Sequence, residues 1–149
     1  MATYERLFPE LLLDDPLVSY FNYGAAISFA VFHQAKGNKQ AAGRLLAKTL
    51  QTLDTVESVY VPPARVAIYA IQGDVDRAIG QLRELVDAGW RGGWWRLERE
   101  PIYEPLWGEP EFQALTDEIR ADMATQLERV REMDRNGELE PIPELAATP

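Results

Sequence analysis

The chain has 149 residues, of which 46% are apolar and 26% charged, with a formal net charge of −9 and no cysteine. This length predicts one domain that buries about 68–70% of its unfolded surface, and the acidic balance argues against direct binding of nucleic acid, which normally needs a basic face. Without cysteine the chain has no disulfides or thiolate metal sites. It also lacks a signal-peptide pattern and a run of about 18 apolar residues, so the sequence predicts a cytoplasmic protein with no membrane insertion.

Residues 1–15 are predicted to form an N-terminal cap. Pro9 limits this segment to a short or interrupted helix. Its apolar residues share one helical face: Tyr4, Leu7, Phe8, Leu11 and Leu12. Asp15-Pro16 is a typical helix start, and the nearly apolar run from Leu17 predicts a helix that is covered on more than one side.

Two similar units are predicted to follow, over residues 16–54 and 59–89. In the first, Gly37 ends one helix and Asn38 caps the next, which spans 39–53. In the second, Pro62-Pro63 opens a helix, and a Gly-Asp turn leads into its partner. A lone two-helix unit cannot bury both of its apolar stripes, so each unit needs neighbours.

The two units match at an offset of 36 residues. The matched pairs are Ala30 with Val66, His33 with Tyr69, Gly37 with Gly73, Asn38 with Asp74, Ala42 with Ala78, Leu46 with Leu82 and Leu50 with Val86. A period near 34 residues with an aromatic, a turn glycine and A-x3-L is typical of the tetratricopeptide repeat (TPR). The chain therefore resembles the TPR family, although Trp early in the first helices and Pro after the second ones are absent.

Residues 90–135 are predicted to form a degenerate third unit and a capping helix. All four Trp lie in 90–107, where Gly and Pro residues break the chain into short turns. Pro110 opens the longest helix, whose apolar stripe runs through Phe112, Leu115, Ile119, Met123, Leu127, Val130 and Met133 until Asn136-Gly137 stops it. The predicted domain thus covers 1–137, and 138–149 form an acidic, Pro-rich tail that is predicted to be extended or disordered.

The segment from Trp94 to Leu115 resembles the end of TPR arrays at the C-termini of bacterial adenylate cyclases and winged-helix transcription regulators. Glu100-Pro101, Pro105-Leu106 and E-P-E-F at 109–112 carry this resemblance. It implies an all-α, TPR-like antiparallel array that acts as a scaffold or regulatory module without catalysis or cofactor, and that binds an unidentified protein or peptide.

The TPR resemblance also implies a shallow concave groove along the first helix of each unit. The matching positions are Ile27, Val31, Gln34, Ala64, Ala67 and Ile71. Because these are mostly apolar and lack a Lys/Asn/Arg carboxylate clamp, they favour an apolar peptide or helix. The chain's own termini could also fill the groove. Two alternatives stay open: self-association, as a homodimer through the last helix, and a small-molecule enzyme fragment with a pocket at the aromatic end.

No catalytic or metal site is predicted. His33 is the only histidine and occupies a packing position in the repeat, where general base or metal chemistry would need a companion group. The carboxylates sit at caps, on solvent faces or in the tail. Only one of the adjacent Trp94 and Trp95 can face inward, so these two are possible aromatic contact residues. The last helix either projects as a dimer seam or folds back on the units, and the sequence slightly favours folding back.

Overall fold

The computed structural model describes residues 2–56 and 61–139, and this part of the chain is all-α, as predicted. The α-helices are α1 (Ala2–Leu7), α2 (Tyr23–Ala35), α3 (Lys39–Leu53), α4 (Val61–Gln72), α5 (Val75–Asp87) and α6 (Pro110–Arg135). Short 3-10 helices span Pro9–Leu12, Trp94–Arg96 and Pro101–Leu106. The predicted start of the second unit at residue 59, the Tyr4 side chain and the tail from residue 140 lie outside the described part.

The two helical hairpins turn through the same backbone geometry. Gly37 and Gly73 adopt φ of 76° and 74°, the left-handed conformation that glycine adopts without a steric penalty. At each turn the glycine N–H bonds the carbonyl three residues back, and the next N–H bonds the carbonyl five residues back. The Asn38 and Asp74 side chains then each accept the N–H three residues on, at 3.2 Å. The predicted 36-residue correspondence therefore holds at both turns.

Helix α4 lies between two hydrophobic clusters. One face contributes Ala64, Ile68 and Ile71 to the first cluster, together with side chains of α2, α3 and the Pro9–Leu12 turn. The other face contributes Val66, Ala67 and Ala70 to the second cluster, together with side chains of α5, α6 and residues 94–106. Since both faces are covered, six residues within three turns are buried, which makes α4 the centre of the fold.

The predicted helix start at Asp15-Pro16 is wrong. Helix α2 begins at Tyr23 and not at Asp15-Pro16, because a buried amide organises the preceding residues into a loop. The Asn22 Oδ1 accepts the Ser19 N–H at 2.7 Å, and its Nδ2 donates to Glu10 Oε1 at 2.9 Å and to the Leu17 carbonyl at 3.1 Å. A buried amide that finds all these partners stabilises the loop against helix extension. The loop leaves Phe21 92% exposed.

The N-terminal cap is only partly as predicted. Leu11 is buried and Phe8 half-buried, but Leu7 and Leu12 are exposed. The reason is that the helix breaks at Phe8 and resumes as a 3-10 turn, so residues four apart no longer share a face.

The long helix α6 packs only through its first half. Phe112, Leu115 and Ile119 are buried against the α5 side of the core, and Met123 is half-buried. Beyond Met123, Leu127 and Val130 are exposed and only Met133 is half-buried, so the expected folding back is wrong. Asn136 and Gly137, with φ of 69°, end the helix as predicted.

Candidate functional site

The structure closes half of the predicted concave groove. Ala64, Ala67 and Ile71 on α4 are buried in the core and cannot meet a ligand in this conformation. Ala67 belongs to the same cluster as Tyr103 and Leu106, so the chain's own 101–106 turn covers this position. The sequence pattern identified α4 as a repeat helix but carried no signal that its outer face would be covered.

The other half of the groove stays partly accessible. Ile27 and Val31 on α2 are half-buried against the first cluster, and Gln34 is exposed. The Gln34 Nε2 donates to the Ile71 carbonyl at 2.8 Å, which ties the C-terminal end of α2 to that of α4. The accessible strip is therefore short, and its one polar group already has a partner.

The adjacent tryptophans divide as the sequence predicted. Trp94 packs against the second cluster, whereas Trp95 is 51% exposed. Trp107 is also exposed at its edge, and its Nε1 donates to the Leu97 carbonyl at 2.8 Å. Trp95 thus remains available for a contact, and Trp94 serves the core.

An open cleft of about 300 Å³ lies beside Trp107 at this aromatic end. Its walls are formed by Glu98, Trp107, Phe112, Gln113, Thr116, Asp117 and Arg120. Arg120 bridges Glu98 and Asp117, and these hydrogen bonds raise the pKa of its guanidinium, the Asp117 bond most of all. The same guanidinium lies 5.9 Å from the Trp94 ring centroid. The carboxylates of the cleft are therefore held by one cation and do not form a free acid–base pair.

Two more groups near the second cluster have perturbed pKa values. Burial raises the pKa of Tyr103 to about 12. The Arg91 Nε donates to Asp122 Oδ2 at 2.6 Å, and this bond is the main cause of the lowered pKa of the Asp122 carboxyl. Both fit structural roles, since Tyr103 packs in the core and the ion pair attaches α6 to the loop after α5.

His33 does lie in a packing position, but it also lines a second cleft. The imidazole is half-buried with its centroid 6.1 Å from that of Phe32. The cleft, about 180 Å³, lies between residues 11–16 and the start of α3, and Arg44 shares it. Within the described residues no three His, Asp or Glu side chains are grouped as metal ligands would be. No sequence pattern predicted this cleft, although the basic residues along α3, which has no Asp or Glu, indicated a positively charged surface there.

The outer half of α6 has an apolar stripe that the described residues leave uncovered. Residues 124–135 are exposed apart from the half-buried Met133. Leu127 and Val130 lie on the same side of the helix as Met123, and each is about half exposed. The charges on these turns pair within the helix, as Arg131 and Arg135 both do with Glu128.

The chain was compared with protein-family models, curated proteins and solved structures, and none of the three comparisons gives a match. Among the described helices, none has the length and apolarity that crossing a bilayer requires.

Proposed function

We propose that this protein is a non-catalytic interaction module of the tetratricopeptide type. Two hairpins with equivalent turns 36 residues apart support this reading, as does the burial of Ala42 and Ala78, which lets the paired helices approach closely in both units. Helix α4, which packs in both hydrophobic clusters, lies at the centre of this architecture. The α6 helix then presents an interaction surface away from that centre.

The outer half of α6 is the observation that carries the proposal. Residues 124–135 are exposed apart from Met133, so among the described residues this segment has little of the tertiary packing that supplies most helical stability in proteins. Its apolar stripe would be exposed in a monomer, yet it has the three-four spacing of a helix–helix seam. A partner helix that covers Leu127 and Val130 would supply the missing packing.

A second copy of the chain is the partner that this surface fits best. Residues 124–135 carry three acidic and three basic side chains, so two such segments meet without net repulsion. The face is also self-complementary in the sense that a two-fold dimer requires, because the same stripe is offered by both copies.

Light scattering across a dilution series tests this proposal. We expect wild type to approach twice the monomer mass as its concentration rises. Leu127→Glu combined with Val130→Glu should raise the dissociation constant at least about tenfold, because it places carboxylates in an apolar seam. Ala121→Glu combined with Thr125→Glu adds the same charge on the opposite side of α6 and should change it little. A strict monomer at every concentration contradicts the dimer.

A short apolar peptide on α2 is the second candidate function. The observation that favours it is the partly accessible strip at Ile27 and Val31. Ile27→Glu and Val31→Glu should then abolish capture of an apolar peptide. The molar mass that light scattering measures for the α6 dimer should not change.

A further inference from the structure

The first hairpin has a net positive charge because it contains no acidic residue. Residues 16–53 contain Lys36, Lys39, Arg44 and Lys48 and no Asp or Glu, in a chain whose net charge is −9. The remainder of the chain is correspondingly more acidic than the total. This asymmetry gives the protein one basic region that can attract acidic segments over about a Debye length.

Most of this positive charge is not neutralised by the fold. Lys48 pairs with Asp15 at 3.0 Å. Within residues 2–56 and 61–139, no carboxylate lies within ion-pair distance of Lys36, Lys39 or Arg44. Arg44 lies one helical turn before Lys48, on the side of α3 that faces the N-terminal loop.

Arg44 lies in a cleft that also has an apolar wall. Leu11, Leu12 and Leu13 form one side, with Leu12 and Leu13 about half exposed. Arg44 and His33 contribute the polar side, next to Asn38 at the start of α3. A segment that alternates carboxylates with apolar residues would match both sides of this cleft.

The chain itself contains one segment with this pattern. Residues 138–145 read E-L-E-P-I-P-E-L, so three glutamates alternate with Leu139, Ile142 and Leu145. We propose that the cleft beside Arg44 binds residues 138–145 of a second copy of this chain. The glutamates would pair with Arg44 and the neighbouring lysines, and the apolar residues would cover Leu12 and Leu13.

The fold favours a neighbour's tail over the molecule's own. Helix α6 packs on α5, α5 on α4 and α4 on α3, so α4 and α5 lie between α6 and the helix that carries the cleft. The exposed half of α6 then carries Glu138 away from its last packed turn by about 1.5 Å per residue. A neighbour's tail has no such distance to cross. The contact is head-to-tail, so at concentrations above its own dissociation constant it takes wild type beyond twice the monomer mass, whereas α6 pairing alone stops at the dimer.

Peptide binding measured by fluorescence polarisation tests the proposal. The probe is a labelled peptide of residues 136–149. The receptor is the full chain with Glu138→Gln, Glu140→Gln and Glu144→Gln, which removes competition from its own acidic tail. We expect saturable binding that weakens about fivefold or more when Arg44→Glu is added to the receptor, and that weakens again as salt rises from about 50 to 300 mM.

Three controls make the result specific. Arg99→Glu makes the same charge change at an exposed arginine outside the cleft and should leave the dissociation constant within about twofold. A probe with its three glutamates replaced by glutamine should bind at least about fivefold more weakly. Circular dichroism confirms that each receptor variant is folded.

Two outcomes overturn the proposal. One is a polarisation signal that does not saturate at receptor concentrations up to about 1 mM, or that Arg44→Glu leaves unchanged. The other is that the protein pellets with anionic phosphatidylserine vesicles in an Arg44-dependent way but does not bind the peptide. That result would show that the cleft beside Arg44 binds a lipid surface. Neither depends on the α6 dimer, because Leu127→Glu with Val130→Glu should not alter peptide binding.

Discussion

Ala78 provides the most direct test of how the second hairpin packs. Its side chain has no exposed surface, and it belongs to the cluster that α4 and α5 share. Ala78→Leu adds three carbon atoms where no space is open. Inserting carbons into a well-packed core typically costs about 1–3 kcal/mol, because side chains leave their preferred rotamers and the helices shift apart.

This cost can be measured by urea denaturation followed by circular dichroism at equilibrium. For a chain of this size, about 1–3 kcal/mol corresponds to a fall in Tm of roughly 2–12 °C. Ala47→Leu is the matched control, because Ala47 is an exposed residue within α3 and the same change there should stay within about 0.5 kcal/mol. The equivalent buried position in the first hairpin is Ala42, so Ala42→Leu should destabilise by a similar amount.

A free energy of unfolding for Ala78→Leu within about 0.5 kcal/mol of wild type would refute the close helix contact. A large effect for Ala78→Leu with none for Ala42→Leu would instead show that the two hairpins pack differently despite their equivalent turns. In that case the 36-residue correspondence would describe the turns alone.

Three further predictions concern the turn, the aromatic end and α6. Gly73→Ala should destabilise by about 1–2 kcal/mol because φ is positive there, whereas Gly80→Ala, inside a helix with open space around it, should stabilise by up to about 1 kcal/mol in the same urea assay. Trp94→Ala should lower Tm by several degrees and Trp95→Ala by little, since only the first packs in the core. The lowered pKa of Asp122 means that its stabilising contribution is complete above its usual pKa of 3.8 and is lost as pH falls through the lower folded value. Asp122→Asn should therefore flatten the acid side of the stability profile, and an unchanged profile would remove this ion pair as its cause.

The N-terminal region shows where sequence patterns mislead. Asp15-Pro16 has the form of a helix start, and the following residues are apolar, yet the helix begins at Tyr23. The deciding group is the Asn22 amide, whose partner Glu10 lies 12 residues away. A bond over that separation leaves no trace in local periodicity, so no helix pattern could report it.

The groove shows the same limit at the level of the site. The repeat alignment correctly placed Ile27 and Ala67 on first helices, but only the packed structure shows that α2 keeps a partly open strip while the 101–106 turn covers Ala67. Likewise, the spacing of Leu127 and Val130 predicted an apolar stripe. The absence of helix partners for it within the described chain is a fact of tertiary packing.

The sequence by itself determined the helices after residue 22, the two glycine turns and their caps, because these depend on backbone conformation and on hydrogen bonds between residues a few positions apart. It also determined the net positive charge of residues 16–53, which follows from the lack of Asp and Glu there. The tertiary structure alone decided which apolar stripes are covered, since burial depends on which distant segments meet. That is why α4 is enclosed on both faces, while Arg44 and most of the outer half of α6 are exposed.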